Sequence, residues 1–125
     1  MSSLVKTQGL TKVFNPGRKV RALRGIDLEI KKGDFVSSRG PSGSGKTTLL
    51  NIIGCLDPPT NGEVIIDGVD ISKMNETQLA KLRAAKIGFI FQSFNLMPIY
   101  NAVENVELPM ENTKLTKKQR HEKAL

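Results

Sequence analysis

The apolar and polar positions of this chain fall into short stretches of alternating character. Leu4 to Phe14 is β-prone and runs into Asn15-Pro16-Gly17, a turn signal that closes a first strand. Lys19 to Leu23 and Ile26 to Ile30 follow, and in the second Ile26, Leu28 and Ile30 alternate with Asp27, Glu29 and Lys31, as in a half-buried antiparallel strand. Lys32-Gly33-Asp34 is its turn. Phe35 to Arg39 then reads as a buried central strand, in which the Ser38 hydroxyl would need a hydrogen-bond partner. Thr47 to Leu56 is apolar with no proline and one glycine, a helical pattern that Asp57-Pro58-Pro59-Thr60-Asn61-Gly62 stops. Glu63 to Asp67 and Val69 to Ile71 make a hairpin about Asp67-Gly68. Asn75 or Thr77 can cap a helix reaching about Lys86, with Leu79, Leu82 and Ala85 on one face. Ile87 to Phe91 is a continuous apolar strand that delivers Gln92 to a strand end, where active sites of open α/β sheets lie. Ser93 to Pro98 is loop, Asn101 caps a short helix that Pro109 stops, and Thr113 to Leu125 begins another, polar and basic.

The candidate chemistry sits between the expected strand at 35–39 and the helix after it. Gly40-Pro41-Ser42-Gly43-Ser44-Gly45-Lys46-Thr47 fits the phosphate-binding pattern G-x-x-x-x-G-K-[ST] without a gap, in the strand-loop-helix setting the pattern requires. Gly40, Gly43 and Gly45 permit a tight loop whose amides turn inward as a nest for phosphate oxygens. Lys46 adds a point charge that can reach the β and γ phosphates, Thr47 a hydroxyl for Mg²⁺, and Thr48 a donor for the α phosphate. The helix dipole faces the same anion. A nucleotide is therefore the expected ligand.

Composition narrows the setting. With 125 residues, 38% hydrophobic and 25% charged, the chain reads as at most one soluble globular domain. No apolar run approaches the ~18 residues of a spanning helix, and Met-Ser-Ser-Leu-Val-Lys lacks the apolar core of a signal peptide, so the protein is expected inside the cell. Cys55, among Leu50, Ile52, Ile53 and Leu56, reads as a small buried apolar residue. The net charge of +7 raises nucleic acid as a partner, but its distribution does not support one. Residues 1 to 39 carry nine basic and three acidic side chains, residues 40 to 112 five and eight, and residues 113 to 125 five and one. No aromatic residues interleave with the basic ones, and no nucleic acid is expected.

With these motifs in order, the chain resembles the N-terminal half of an ATP-binding cassette (ABC) protein, the nucleotide-binding subunit of a transporter. The resemblance rests on the β-rich start with an aromatic at Phe14, the phosphate loop, L-L-N-I-I-G-C-L-D-P-P-T-N-G-E-V, and I-G-F-I-F-Q-S-F-N-L-M-P. The last two phrases, with A-V-E-N-V-E-L-P at residues 102 to 109, look most like the lipoprotein-releasing and macrolide-export branch. The resemblance implies a partial phosphate-loop NTPase fold of the α/β class, with an N-terminal antiparallel β part and an incomplete parallel core sheet. Residues 1–34 and 62–72 would form the antiparallel part, 35–61 and 73–92 the core, and 93–125 the start of a helical subdomain. It also implies that Phe14 stacks on adenine and that Gln92 reaches Mg²⁺ and the attacking water. Residues 93 to 107 would border the groove receiving a helix of the transmembrane permease subunit. ATP and Mg²⁺ are the implied cofactors, a second nucleotide-binding subunit the implied dimer partner, and the cytoplasmic face of the cell membrane the implied location.

The departures from the family pattern shape the expected activity. A second metal-binding Asp, the catalytic Glu after it, the switch His and the L-S-G-G-Q signature do not occur in these 125 residues. His121, in the basic terminal helix, reads as a surface residue. Nucleotide binding without turnover is expected, and with later strands of the core sheet missing, so is low solubility or self-association. The remaining alternative is another phosphate-loop NTPase or kinase acting on a soluble substrate, against which stand the 39 mostly β-prone residues before the loop.

Overall fold

The period-two stretches become two long strands, β1 (Ser3–Phe14) and β2 (Val20–Lys31), paired antiparallel from Ser3 opposite Lys31 to Phe14 opposite Val20. The computed structural model describes residues 3–15 and 18–125, so the expected turn at Asn15-Pro16-Gly17 lies partly outside the described residues. The two expected segments at 19–23 and 26–30 are one strand. Gly25, at φ 92°, is the extra residue of a bulge between the pairs Leu10–Ile26 and Thr11–Arg24, and a glycine accepts that left-handed backbone at little cost. On the other side of β1 lies β3 (Asn61–Ile66), antiparallel, followed by β4 (Val69–Asp70), in the order β2-β1-β3-β4. The hairpin turn is at Asp67-Gly68 as expected, both residues having positive φ, 48° and 80°, the backbone that matches strand twist.

One face of this sheet is buried under two helices, α1 (Lys46–Ile53) and α2 (Glu76–Lys86). Leu10, Leu23, Ile52, Cys55, Val64, Ile66, Ile71 and Leu79 form the core. Asn75 caps α2 reciprocally with Gln78: Asn75 Oδ1 accepts from the Gln78 amide at 2.9 Å, and Gln78 Oε1 from the Asn75 amide at 3.0 Å. Cys55 is fully buried, and burial pushes its thiol up, with the nearby Arg83 charge opposing. It is a packing residue, and its carbonyl accepts from the Arg83 guanidinium at 2.6 Å. At the sheet edge the hydroxyl and amide of Ser72 both donate to Asp70, which holds that carboxyl below its usual range.

The described residues divide into two compact units, this one ending at Phe89 and a second running from Ile90 to Leu125. The second contains α3 (Ala102–Glu107), a 3₁₀ turn over Leu108–Asn112 that begins where Pro109 interrupts the helix, and α4 (Lys117–Ala124). Asn101 caps α3 and Thr116 caps α4, each in a reciprocal box. His121 of α4 is solvent-exposed, with Nδ1 2.9 Å from Glu107 Oε1.

Two expected strands are not formed. Residues 35–39 and 87–91 lie in no strand, and among the described residues the sheet is wholly antiparallel, so the expected parallel pairing is absent. A central parallel strand takes its hydrogen bonds from strands on both sides, and among the described residues no assigned strand flanks either segment. Phe35 is fully exposed and Val36 half-exposed, and Ser38, exposed too, needs no internal partner. Ile87 of the second segment packs against the core, and the Phe89 ring lies against Gly54. Apolar side chains left in water predict self-association in sedimentation velocity as concentration rises. A monodisperse monomer that unfolds cooperatively at high concentration would refute this expectation.

Candidate functional site

The phosphate-loop residues are positioned by one irregularity in β2. Ala22 falls in the register shift between the pairs Lys12–Leu23 and Val13–Arg21. Its carbonyl oxygen lies against the loop, so a Cβ placed on Gly45 would come within 2.7 Å of it and within 3.0 Å of Leu23 Cδ2. Gly45 also has φ 98°, which leaves glycine as the residue that fits both the conformation and the space. It is the N-cap of α1, with no side-chain cap and no acidic residue in the first turn. Neither a side-chain cap nor a first-turn carboxylate therefore neutralises the positive end of the helix.

Ala22, Ser42, Gly43, Gly45, Lys46, Thr47 and Thr48 line an open cleft of about 450 Å³ at this end of α1. Gly43, at φ 82°, bends the loop around it. Gly40, Pro41 and Ser44 belong to the same loop but act through Lys46, whose ammonium donates to the Gly40 carbonyl at 2.6 Å, the Pro41 carbonyl at 2.8 Å and Ser44 Oγ at 3.2 Å. Each of its three protons has an acceptor. These acceptors are neutral and exposed, and exchanging them for phosphate oxygens would give the ammonium anionic acceptors in place of neutral ones. The cleft thus offers an anion a cation, two threonine hydroxyls and the dipole of α1.

Phe14 ends β1 opposite Val20, which precedes Ala22 by two residues, a rise of about 7 Å along β2. The ring is 38% exposed and Lys12 Nζ lies 5.3 Å from its centroid, so the π face attracts a cation as well as offering a surface for stacking. Gln92 belongs to the second unit and is exposed at a bend. The structure therefore brings residues 40 to 48 together, places Phe14 on the strand pair that supports them, and describes Gln92 within its own unit. Ala22 was not foreseen as a lining residue. A lone alanine in a strand carries no chemical signal, and only the bulge turns it towards the loop. Among the described residues no three His, Cys, Asp or Glu side chains gather in a way that could hold a metal ion.

Residues 23 to 125 match the model of the family described as ABC transporter. An uncharacterized ABC transporter ATP-binding protein of Methanocaldococcus jannaschii is 52% identical over 108 residues, 86% of this chain and 46% of that protein. A macrolide export ATP-binding/permease protein, MacB of Brucella abortus, is 50% identical over 107 residues, 85% of this chain and 17% of its own length. Among solved structures, a dimeric post-hydrolysis state of the ATP-binding cassette MJ0796 bound to ADP and Pi is similar with a TM-score of 0.89 at 48% identity, over 96% of this chain and 53% of that one. The α/β phosphate-loop NTPase class is that of these neighbours. The chain spans about half the length of the stand-alone ATP-binding relatives it matches.

Proposed function

This chain belongs to the ABC transporter family, and from that premise we propose that it is the front part of an ATP-binding cassette which couples MgATP to transport across a membrane. The observation that carries the reading is the cleft at the start of α1, where Lys46, Thr47, Thr48 and the loop of 40–45 converge on a space suited to a polyphosphate. In this reading Lys46 and the loop amides hold the β and γ phosphates, Thr48 donates to the α phosphate, and Phe14 stacks on adenine. Thr47 would supply an oxygen donor of the kind Mg²⁺ prefers, and the family resemblance gives Gln92 the same kind of donor. The ion would neutralise phosphate charge.

The rest of the assignment follows the family. Residues 1–34 and 62–72 form the antiparallel part, 35–61 and 73–92 the core, and 93–125 the start of the helical subdomain. Residues 93 to 107 border the groove for a helix of the membrane subunit. Among the described residues no helix is long and apolar enough to cross a membrane, so attachment to the cytoplasmic face would run through that subunit. A second cassette would complete the dimer. These 125 residues contain neither the signature nor the catalytic Glu, so they bind nucleotide without turning it over. Titration calorimetry tests this reading. Saturable MgATP binding, weakened when EDTA removes the metal and unaccompanied by ADP production, is the expected result. Phosphoryl transfer to AMP would replace the transporter reading with a nucleotide kinase.

A further inference from the structure

We propose that Asn105 is a positioning residue that holds the chain from Met97 to Asn101 in one conformation. The proposal rests on the transporter reading only for what that segment serves, the border of the membrane-subunit groove. The Asn105 side chain uses both ends of its amide. Its Oδ1 accepts from the Met97 amide at 2.8 Å, while the two protons of its Nδ2 are shared among three carbonyls, those of Met97 at 3.3 Å, Tyr100 at 3.1 Å and Asn101 at 2.9 Å. Met97 is thereby held at its N–H and its C=O, a two-point pairing of the kind a neighbouring strand would give. The Tyr100 amide closes the turn on the same Met97 carbonyl at 3.1 Å.

Packing holds only part of this segment, with Met97 43% and Tyr100 37% exposed. Phe94, Leu96 and Ile99, on it and just before it, are 91%, 64% and 80% exposed. Apolar groups that stay in water contribute no burial energy to the order of their own loop, so its backbone must be fixed by polar contacts. Asparagine at the second turn of α3 suits this task. Aspartate has the acceptor without the donors, leucine has neither, and glutamine reaches one methylene too far. The result is a loop whose conformation is set before anything docks on it, which lowers the ordering cost of docking.

The chain contains one tyrosine, Tyr100, and no tryptophan, so its tyrosine emission reads this loop alone. In Asn105→Ala, Tyr100 fluorescence anisotropy is expected to fall, and the Met97 amide to exchange with solvent roughly tenfold faster, the change that loss of one hydrogen bond brings. In Asn105→Asp the retained acceptor keeps Met97 protected within about twofold, while the lost donors and carbonyl repulsion free Tyr100 as alanine does. A residue that only stabilised α3 would move both readouts together in both variants. Protection of the Asn105 amide, which donates to Asn101 O at 3.0 Å, shows whether α3 persists. Should α3 melt in the alanine variant, the aspartate variant decides. Unchanged Tyr100 anisotropy in the aspartate variant, or parallel loss at Met97 and Tyr100 there, overturns the proposal. Nucleotide titration of the unsubstituted chain separately tests the transporter reading, and its failure would leave the clamp standing.

Discussion

Lys46→Ala is expected to weaken MgATP binding by about a hundredfold or more, since two charge-assisted hydrogen bonds of about 1.5–3 kcal/mol each are lost and 1.4 kcal/mol corresponds to a factor of ten. The fold should barely notice. In the structure the ammonium touches only the carbonyls of Gly40 and Pro41 and the hydroxyl of Ser44, all exposed, and water can take its place on each. Lys46→Arg is expected to rescue little, because a bulkier planar guanidinium cannot occupy the point where three loop acceptors converge. Titration calorimetry for affinity and far-UV circular dichroism for structure separate the two effects. Unchanged affinity in the alanine variant would remove the phosphate site from the loop. A lost signal with a melted spectrum would show instead that the lysine is structural.

The largest stability effect is expected at Gly62→Ala, about 2–6 kcal/mol, combining left-handed backbone strain of about 1–3 kcal/mol with overpacking of similar size. Gly62 has φ 96°, and a Cβ there would lie 2.5 Å from the Gly9 carbonyl oxygen, 2.6 Å from its carbon and 2.7 Å from Leu10 Cα. These are backbone atoms of β1 and cannot rotate aside. They cannot retreat easily either, because the Gly9 amide donates to Asp27 Oδ1 at 2.7 Å and Leu10 is fully buried in the core. Relief would have to come from the pairing itself, at the register shift between Gln8–Glu63 and Thr11–Asn61. A domain of this size has about 5–15 kcal/mol in all, so the loss should be visible as a large drop in the urea midpoint. Gly68→Ala supplies the control. Gly68 has φ 80° with nothing within 4 Å of its Cβ position, so it suffers strain without collision. Equal losses at the two positions would show that the close contact costs nothing.

The phosphate loop illustrates how far local chemistry reaches. Its glycines, lysine and threonines are readable because each residue type is required by a bond or a backbone angle within eight consecutive positions. What it takes to hold that loop is not so readable. Ala22 comes from a different element, 23 residues before the Gly45 it touches, and it matters through a carbonyl that any residue would carry. Asn105 is similar: its cap-like place near the start of α3 gives no hint that the side chain reaches back to Met97.

The sequence alone therefore determined the elements whose causes are local. Asn101 caps a helix because a carboxamide oxygen can reach an amide three residues on, Asp67-Gly68 turns because both can take positive φ, and Cys55 is buried because its neighbours are apolar, whereas the choice of Asn75 over Thr77 as the cap of α2 came from the structure. Only the tertiary structure decided the elements whose partners are remote. Ile87 to Phe91 has the apolar content of a central strand, and Phe35 to Arg39, less apolar, follows the same pattern, yet neither forms one, because a strand exists through hydrogen bonds to neighbouring chain. Gly25 reads as a break between two strands and instead joins them, because β1 continues opposite it. Residue type sets which conformations are cheap, and the chain that arrives alongside selects among them.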